Sequence, residues 1–188
     1  MTPTEQEAWF AEELLRWNQK LALVSKRWGL REVQEKIHQA HEVLPHLPPG
    51  ILIDMGSGQG LPALIWALHR EGQVTLLDLN AKKVAFLKHV IRQLGLTHVR
   101  ALRANLNHPP VELLGSAAAV TAQAVDTLAQ LDAWAQPLLQ PGGVLIALKA
   151  KGGRLNEEMA EREAAGRNPE WIERAEGRGL VRLIGPIR

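Results

Sequence analysis

Two aspartates and a run of glycines stand close together around the stretch LIDMGSGQGLPAL, residues 52 to 64. Asp54 ends a short apolar run; Gly56, Gly58 and Gly60 follow at alternate positions, with Ser57 inside the run and Leu61 behind it. Glycine gives up more backbone freedom on folding than any other residue, so three in five positions need a reason. A turn whose bare backbone a ligand can approach supplies one. A second acid, Asp78, closes VTLLD and is followed by Leu79. A carboxylate offers several acceptor sites, so an acid at that strand tip can take both hydroxyls of a ribose. Asp54 stands where the cationic or hydrogen-bond-donating end of the same ligand would be held.

The spacing narrows the ligand. A dinucleotide fingerprint reads G-x-G-x-x-G, and Leu61 occupies the place of its third glycine. A Walker loop needs Gly-Lys-Ser/Thr, which the chain lacks. Two acids without a phosphate-binding lysine suit a nucleoside that carries no phosphate. S-adenosylmethionine, with its sulfonium and amino group, is such a ligand; a tight strand-to-helix turn with no ligand is the competing reading.

The elements that must position these residues can be read from periodicity. Residues 50–56, GILIDMG, and 73–79, QVTLLDL, are strand-like, and each precedes a helical pattern, over Pro62 to His69 and about Ala81 to Leu94. Gly95 suits the C-terminus of the second helix. HVRALRA, AAAVTAQAV and GGVLIALKA supply three more strands, the last two separated by the helix TLAQLDAWAQPLL. Such alternation predicts an α/β fold, a mostly parallel sheet with helices on both faces. The tail EWIERAEGRGLVRLIGPIR predicts an antiparallel hairpin at the C-terminal edge. Ahead of the sheet, a helix with Thr4 and Glu7 as a capping box and a second over residues 30 to 46 form an N-terminal helical extension. Residues 1–49 are therefore expected to be a helical cap and 50–188 a ligand-binding domain, together one compact unit.

Bulk properties bound the rest. The 188 residues are 46% hydrophobic and 22% charged, with a formal net charge of +2 and no cysteine. That excludes disulfides, thiolate catalysis and thiolate-held zinc. No apolar run is long enough for a membrane span, and the acidic N-terminus lacks the order of a signal peptide, so a cytoplasmic setting is expected. Basic residues gather in three groups that include Lys26 and Arg27, Lys82 and Lys83, and Lys149, as a polyanionic partner requires; a solvated face is the plainer account of each. Trp9 and Trp17 are expected in the core, and Trp28 and Trp66 are open candidates for stacking a base.

WNQKLALVS, LPPGILIDMGSGQGLPAL, VTLLDLNAKKVAFLKHVIRQLGL and LLQPGGVLIALKA together resemble the small-subunit ribosomal RNA methyltransferase G family, GidB, from about Trp17 to about Ala150. The resemblance implies a Rossmann-like class I methyltransferase fold, S-adenosylmethionine as cofactor, and methyl transfer to guanine N7 of ribosomal RNA in the small subunit. It also implies cofactor contacts from Gly56, Leu61, Leu106, Asn107 and Gln123, with Asp78 on the ribose; Asp54, Ser57, Gly58, Gly60, Leu79 and Asn105 complete the expected cofactor-binding set. Where the family carries arginines, this chain has Asn105 and Gln123; His38 is kept in HQAHE, without the family's aspartate. The expected assembly is a monomer.

N7 of guanine has a free lone pair, so methyl transfer to it needs alignment and no general base. An oxygen or protonated-amine acceptor would need one, with His38, His41 or Asp126 available. Gln123 and His38 are the substrate-side candidates. His38 and His41 stand three apart on a helix and are read as ordinary helix residues, so no metal is expected. The alternatives to ribosomal RNA methylation are a relative that uses the same cofactor on another acceptor, and a non-catalytic binding protein.

Overall fold

A computed structural model describes residues 1–123 and 125–185; the final residues of the tail reading, 186–188, and Ala124 lie outside the described residues. Seven strands form one sheet: β1 (Leu52–Met55), β2 (Val74–Asp78), β3 (Val99–Arg103), β4 (Ala117–Gln123), β5 (Leu139–Ala150), β6 (Glu170–Glu173) and β7 (Arg178–Ile184). Their order across the sheet is β3-β2-β1-β4-β5-β7-β6. The first five run parallel, and β7 is antiparallel to both β5 and β6, which is the edge hairpin expected of the tail.

Side chains alternate across the central strands, so each feeds two cores. Leu52, Leu76 and Ala119 face helices α1 (Pro3–Leu21), α2 (Leu30–His41), α3 (Ala63–Leu68) and α4 (Ala81–Gln93). Ile53, Leu77 and Val120 face the side covered by α5 (Leu128–Ala135) and α6 (Gly153–Ala164). The N-terminal helices share the first core: Phe10, Leu14, Val33 and Ala40 are buried against Trp66 and Phe86. Trp66 is fully buried, and its indole N–H donates to the Ala40 carbonyl at 2.9 Å, so it is a packing residue. Trp9 and Trp17 are half-buried and pack against the same core. Among the described residues no helix is long and apolar enough to cross a membrane.

Several boundaries differ from the sequence reading. The cap of α1 is Thr2 with Glu5, a reciprocal capping box two residues earlier than Thr4 and Glu7, because Pro3 fits a first turn that needs no N–H. Helix α2 ends at His41, short of residue 46: Pro45 has no N–H to give the His41 carbonyl, and a 3₁₀ turn over Leu44–His46 follows. Pro62 is the N-cap of α3. Strand β5 begins at Leu139, three residues ahead of the GGVLIALKA run, with a register shift opposite Ala117 and Ala119. Helix α6 has no counterpart in the sequence reading. Only Leu155 and Glu158 in it are buried, too few to write an apolar stripe.

One buried carboxylate locks α1 to α4. Glu13 accepts hydrogen bonds from Arg16 Nε at 2.7 Å and Trp17 Nε1 at 2.8 Å, and it also pairs with His89. The bond from Arg16 chiefly holds its carboxyl well below the usual range, at about 2, with His89 and Trp17 assisting against the upward push of burial. Its folded pKa lies below the unfolded value of 4.5, so its contribution is complete above that pH and is lost as pH falls toward 2. Glu13→Gln is expected to cost on the order of 1.5–3 kcal/mol near neutral pH. Urea unfolding should show the gap between the two proteins narrowing as acid is added.

Candidate active site

The carboxyl ends of the parallel strands open into a cleft of about 890 Å³, within the usual range for small-molecule sites. It forms where β1 and β4 lie side by side while their following helices, α3 and α5, cover opposite faces of the sheet. Asp54 at the end of β1 lies opposite Thr121 of β4, whose hydroxyl donates to Asp54 Oδ1 at 2.7 Å. Next along the edge, Asp78 Oδ2 accepts from the Gly58 N–H at 2.8 Å and Oδ1 from the Asn80 N–H at 2.7 Å.

The glycine turn between them has two functions. Gly58 lines the cleft at φ +57°, and a Cβ there would meet only the Gly56 carbonyl oxygen at 3.8 Å and Lys83 Nζ at 3.9 Å, ordinary contact distances. Gly60, at φ +91°, is instead required by packing, since a Cβ would sit 2.3 Å from Leu64 Cδ1. Gly60 is not among the residues that line the cleft.

Beyond β3, Asn105 Oδ1 accepts from the Asn107 N–H at 3.0 Å, and Asn107 Oδ1 accepts from Trp134 Nε1 at 2.7 Å. These bonds shape the wall made by Asn105, Leu106 and Asn107. Leu79 is 62% exposed beside Asp78, an uncovered apolar surface on the cleft. Gly56, Ser57, Leu61 and Gln123 also line the cleft.

A model for the family described as rRNA small subunit methyltransferase G (GidB) matches residues 4–170. The chain belongs to this family. It is 39% identical over 155 residues to the ribosomal RNA small subunit methyltransferase G of Halorhodospira halophila, covering 81% of this chain and 71% of that protein. The enzyme of the same name from Stenotrophomonas maltophilia is 36% identical over 149 residues, 79% of this chain and 68% of the relative. A solved S-adenosylmethionine-dependent methyltransferase from Aquifex aeolicus superposes with a TM-score of 0.60 at 16% identity, over 80% of this chain and 92% of that one. At that identity the likeness shows a shared fold. As a GidB-family member the chain is a methyltransferase.

The far end of the cleft holds cations that sequence reading did not assign to the site. Lys36 and Gln39 of α2 reach it, with Arg174 after β6 and Arg178 at the start of β7. Arg174 donates to the Gln39 carbonyl at 2.6 Å and pairs with Glu42, and its buried Nε has no partner among the described residues. Trp28 and Trp134 also line the cleft. Of the cations named from sequence, Lys83 lines it, and Lys149 does so with its ammonium already bonded to Glu158 and the Asp126 carbonyl, both at 2.9 Å. Lys82 lies exposed at the start of α4, and Lys26 and Arg27 in the exposed turn before α2. His38 is exposed beside Glu42, at 3.9 Å, away from the lining.

The donor set suits the family's cofactor. Asp78 keeps acceptor capacity on both oxygens for a ribose. Leu79 offers an apolar face next to it. Asp54 is 3% exposed; its carboxylate accepts from the neutral Thr121 hydroxyl, while Ser57 Oγ donates to its backbone carbonyl at 3.0 Å, an arrangement that a cationic group would complete.

Burial pushes the Asp54 carboxyl up to about 6, against the bonds from Thr121 and Ser57 and with a further upward push from the Asp78 charge. Unfolded, the same group titrates near 3.8. The folded ligand-free chain therefore holds a proton that the unfolded chain releases, and stability declines as pH rises from about 4 to about 6. Asp54→Asn is expected to stabilise the ligand-free protein by on the order of 1–3 kcal/mol above neutral pH and to leave it nearly unchanged near pH 4. Denaturant melts at both pH values check this.

Proposed function

We propose that this chain transfers the methyl group of S-adenosylmethionine to N7 of a guanine in small-subunit ribosomal RNA. The observation that carries the reading is one cleft with an acid–glycine–acid end for a cationic nucleoside and a basic end for a polyanion. The strand order sets the sequence of contacts along the sheet edge. Residues 105–107 after β3 receive the purine, Asp78 the ribose hydroxyls, and Asp54 the positive end. Gln123 at the tip of β4 stands next, between these groups and the cations around β5 and β7.

When bound, S-adenosylmethionine supplies an electrophilic methyl group on a sulfonium sulfur. Guanine N7 presents its lone pair without losing a proton, so no side chain acts as a base. The chain's own residues hold the two reacting partners in line and exclude water. Asp54 in its ionised form stabilises a cation at the strand tip, so cofactor affinity falls as pH drops through about 6. Trp28 offers an aromatic face for a base taken out of its stack. Lys36, bonded only to the neutral Gln39 amide, supplies positive charge for RNA phosphates, and Arg174 and Arg178, ion-paired with Glu42 and Glu176, add guanidinium donors beside it.

A second reading has one specific observation behind it. The sequence resemblance implies arginines in the family where this chain has Asn105 and Gln123, and neutral amides lack the forked charged donors that grip a phosphate. On that reading the cofactor binds and the acceptor is less anionic than RNA.

Tritiated-methyl transfer to naked ribosomal RNA and to small subunits distinguishes the two. The expected outcome is incorporation into one guanine, lost in Asp78→Ala, with cofactor affinity reduced on the order of tenfold to a hundredfold in that variant. Replacing Lys36 and Arg178 with Gln should lower the salt dependence of RNA binding by about one phosphate contact each. Cofactor binding without RNA methylation, restored by Gln123→Arg, would favour the second reading.

A further inference from the structure

Away from the cleft, α1, α2 and α3 converge on three side chains. Glu7 Oε1 lies 2.8 Å from His41 Nε2 and 2.6 Å from His69 Nε2. The three potential ligand atoms all lie within 4.8 Å of one another, and the two imidazole rings stand edge to face with centroids 4.7 Å apart. Glu7 is in the second turn of α1, His41 is the last residue of α2, and His69 is the first residue past α3. No local motif joins them. The fold alone aims two imidazole nitrogens at the same carboxylate oxygen.

We infer that Glu7, His41 and His69 form a zinc-type divalent metal site that joins the N-terminal helices to the sheet domain. Two imidazoles and one carboxylate are a borderline donor set that suits Zn²⁺ and is poorly matched to the all-oxygen preference of Mg²⁺ or Ca²⁺. Bonds of about 2.0–2.2 Å in tetrahedral geometry would separate ligand atoms by about 3.3–3.5 Å. The pairs now in hydrogen-bond contact would part by less than ~1 Å, within the reach of side-chain rotation. The side chains of His41, His69 and Glu7 are 37%, 26% and 13% exposed, so an ion has a path in and water can complete its coordination. His38, three residues before His41, is directed to Glu42 and takes no part.

The position gives the ion a mechanical role. Helix α2 carries Lys36 and Gln39 on the cleft, and Arg174 grips its C-terminal end from the β6–β7 side through the Gln39 carbonyl and Glu42. A metal at His41 would fix that same end to α1 and α3. The mouth of the cleft would then be anchored from two directions. The site stands whatever the methyl acceptor is.

The test uses the whole chain, stripped of metal with a chelator and titrated with Zn²⁺ by calorimetry, with Co²⁺ absorption as a readout of coordination. One equivalent should bind with micromolar or tighter affinity, and the Co²⁺ form should show the intense visible bands of a four- or five-coordinate ion. His69→Gln, at a site near the surface, should weaken binding at least tenfold, and Glu7→Gln likewise. Zinc should raise the melting temperature of the wild type and leave both variants unmoved. Absence of saturable binding by the wild type would overturn the site and leave a hydrogen-bonded staple. Undiminished one-to-one binding by folded His69→Gln would overturn it too, by placing the ion on other ligands.

Discussion

The side-by-side placement of β1 and β4 is the constraint on which the site depends. The chain leaves β1 for α3 on one face of the sheet and β4 for α5 on the other, so no connection can close the gap between their carboxyl ends. The Asp54 carboxyl is buried at that gap and bonded across it to Thr121. A carboxylate there is unfavourable in isolation: burial drives it toward its neutral form, and only hydroxyls oppose this. The fold thus maintains a group that is better satisfied with a cationic ligand than without one.

Everything else at the site is ordered along one edge of the sheet. Because β7 runs antiparallel, its first residue, Arg178, emerges beside the last residue of β5, Ala150. Strand β6 runs back parallel to β5, so Arg174 follows at the same edge. The C-terminal hairpin therefore does more than cap the sheet: its direction delivers two guanidinium groups to the cleft. With a parallel seventh strand, Arg178 would lie at the opposite edge.

The N-terminal helices contribute in a different way. They bury Phe10, Leu14 and Val33 in the same core as α3 and α4, so α2 is held by packing as well as by Arg174. A helix fixed on several sides can present Lys36 and Gln39 to a ligand without the entropy loss of ordering a loop. This is preorganisation obtained from a large shared core, with Glu13 tying α1 to α4 at its edge.

Local sequence signals were sufficient for the strand-helix alternation, the glycine turn, both acids and the edge hairpin. Each of these rests on short-range physics: period two or 3.6 in apolar residues and left-handed backbone at Gly56 and Gly58. They were insufficient for α6, which buries only Leu155 and Glu158, and for the start of α1, where Thr2 outcompeted Thr4 because Pro3 needs no hydrogen bond. They also could not separate Gly58, which opens onto the cleft, from Gly60, which exists to admit Leu64. By itself the sequence determined the family, the order of elements and the acid–glycine–acid end of the cleft, because those depend on neighbours a few residues apart. Only the tertiary structure decided which cations reach the cleft and which histidines meet. Arg174 finds Glu42 across 132 residues, and His69 finds Glu7 across 62. Pairings at such separations are set by strand order and helix packing, which leave no mark on the residues beside them.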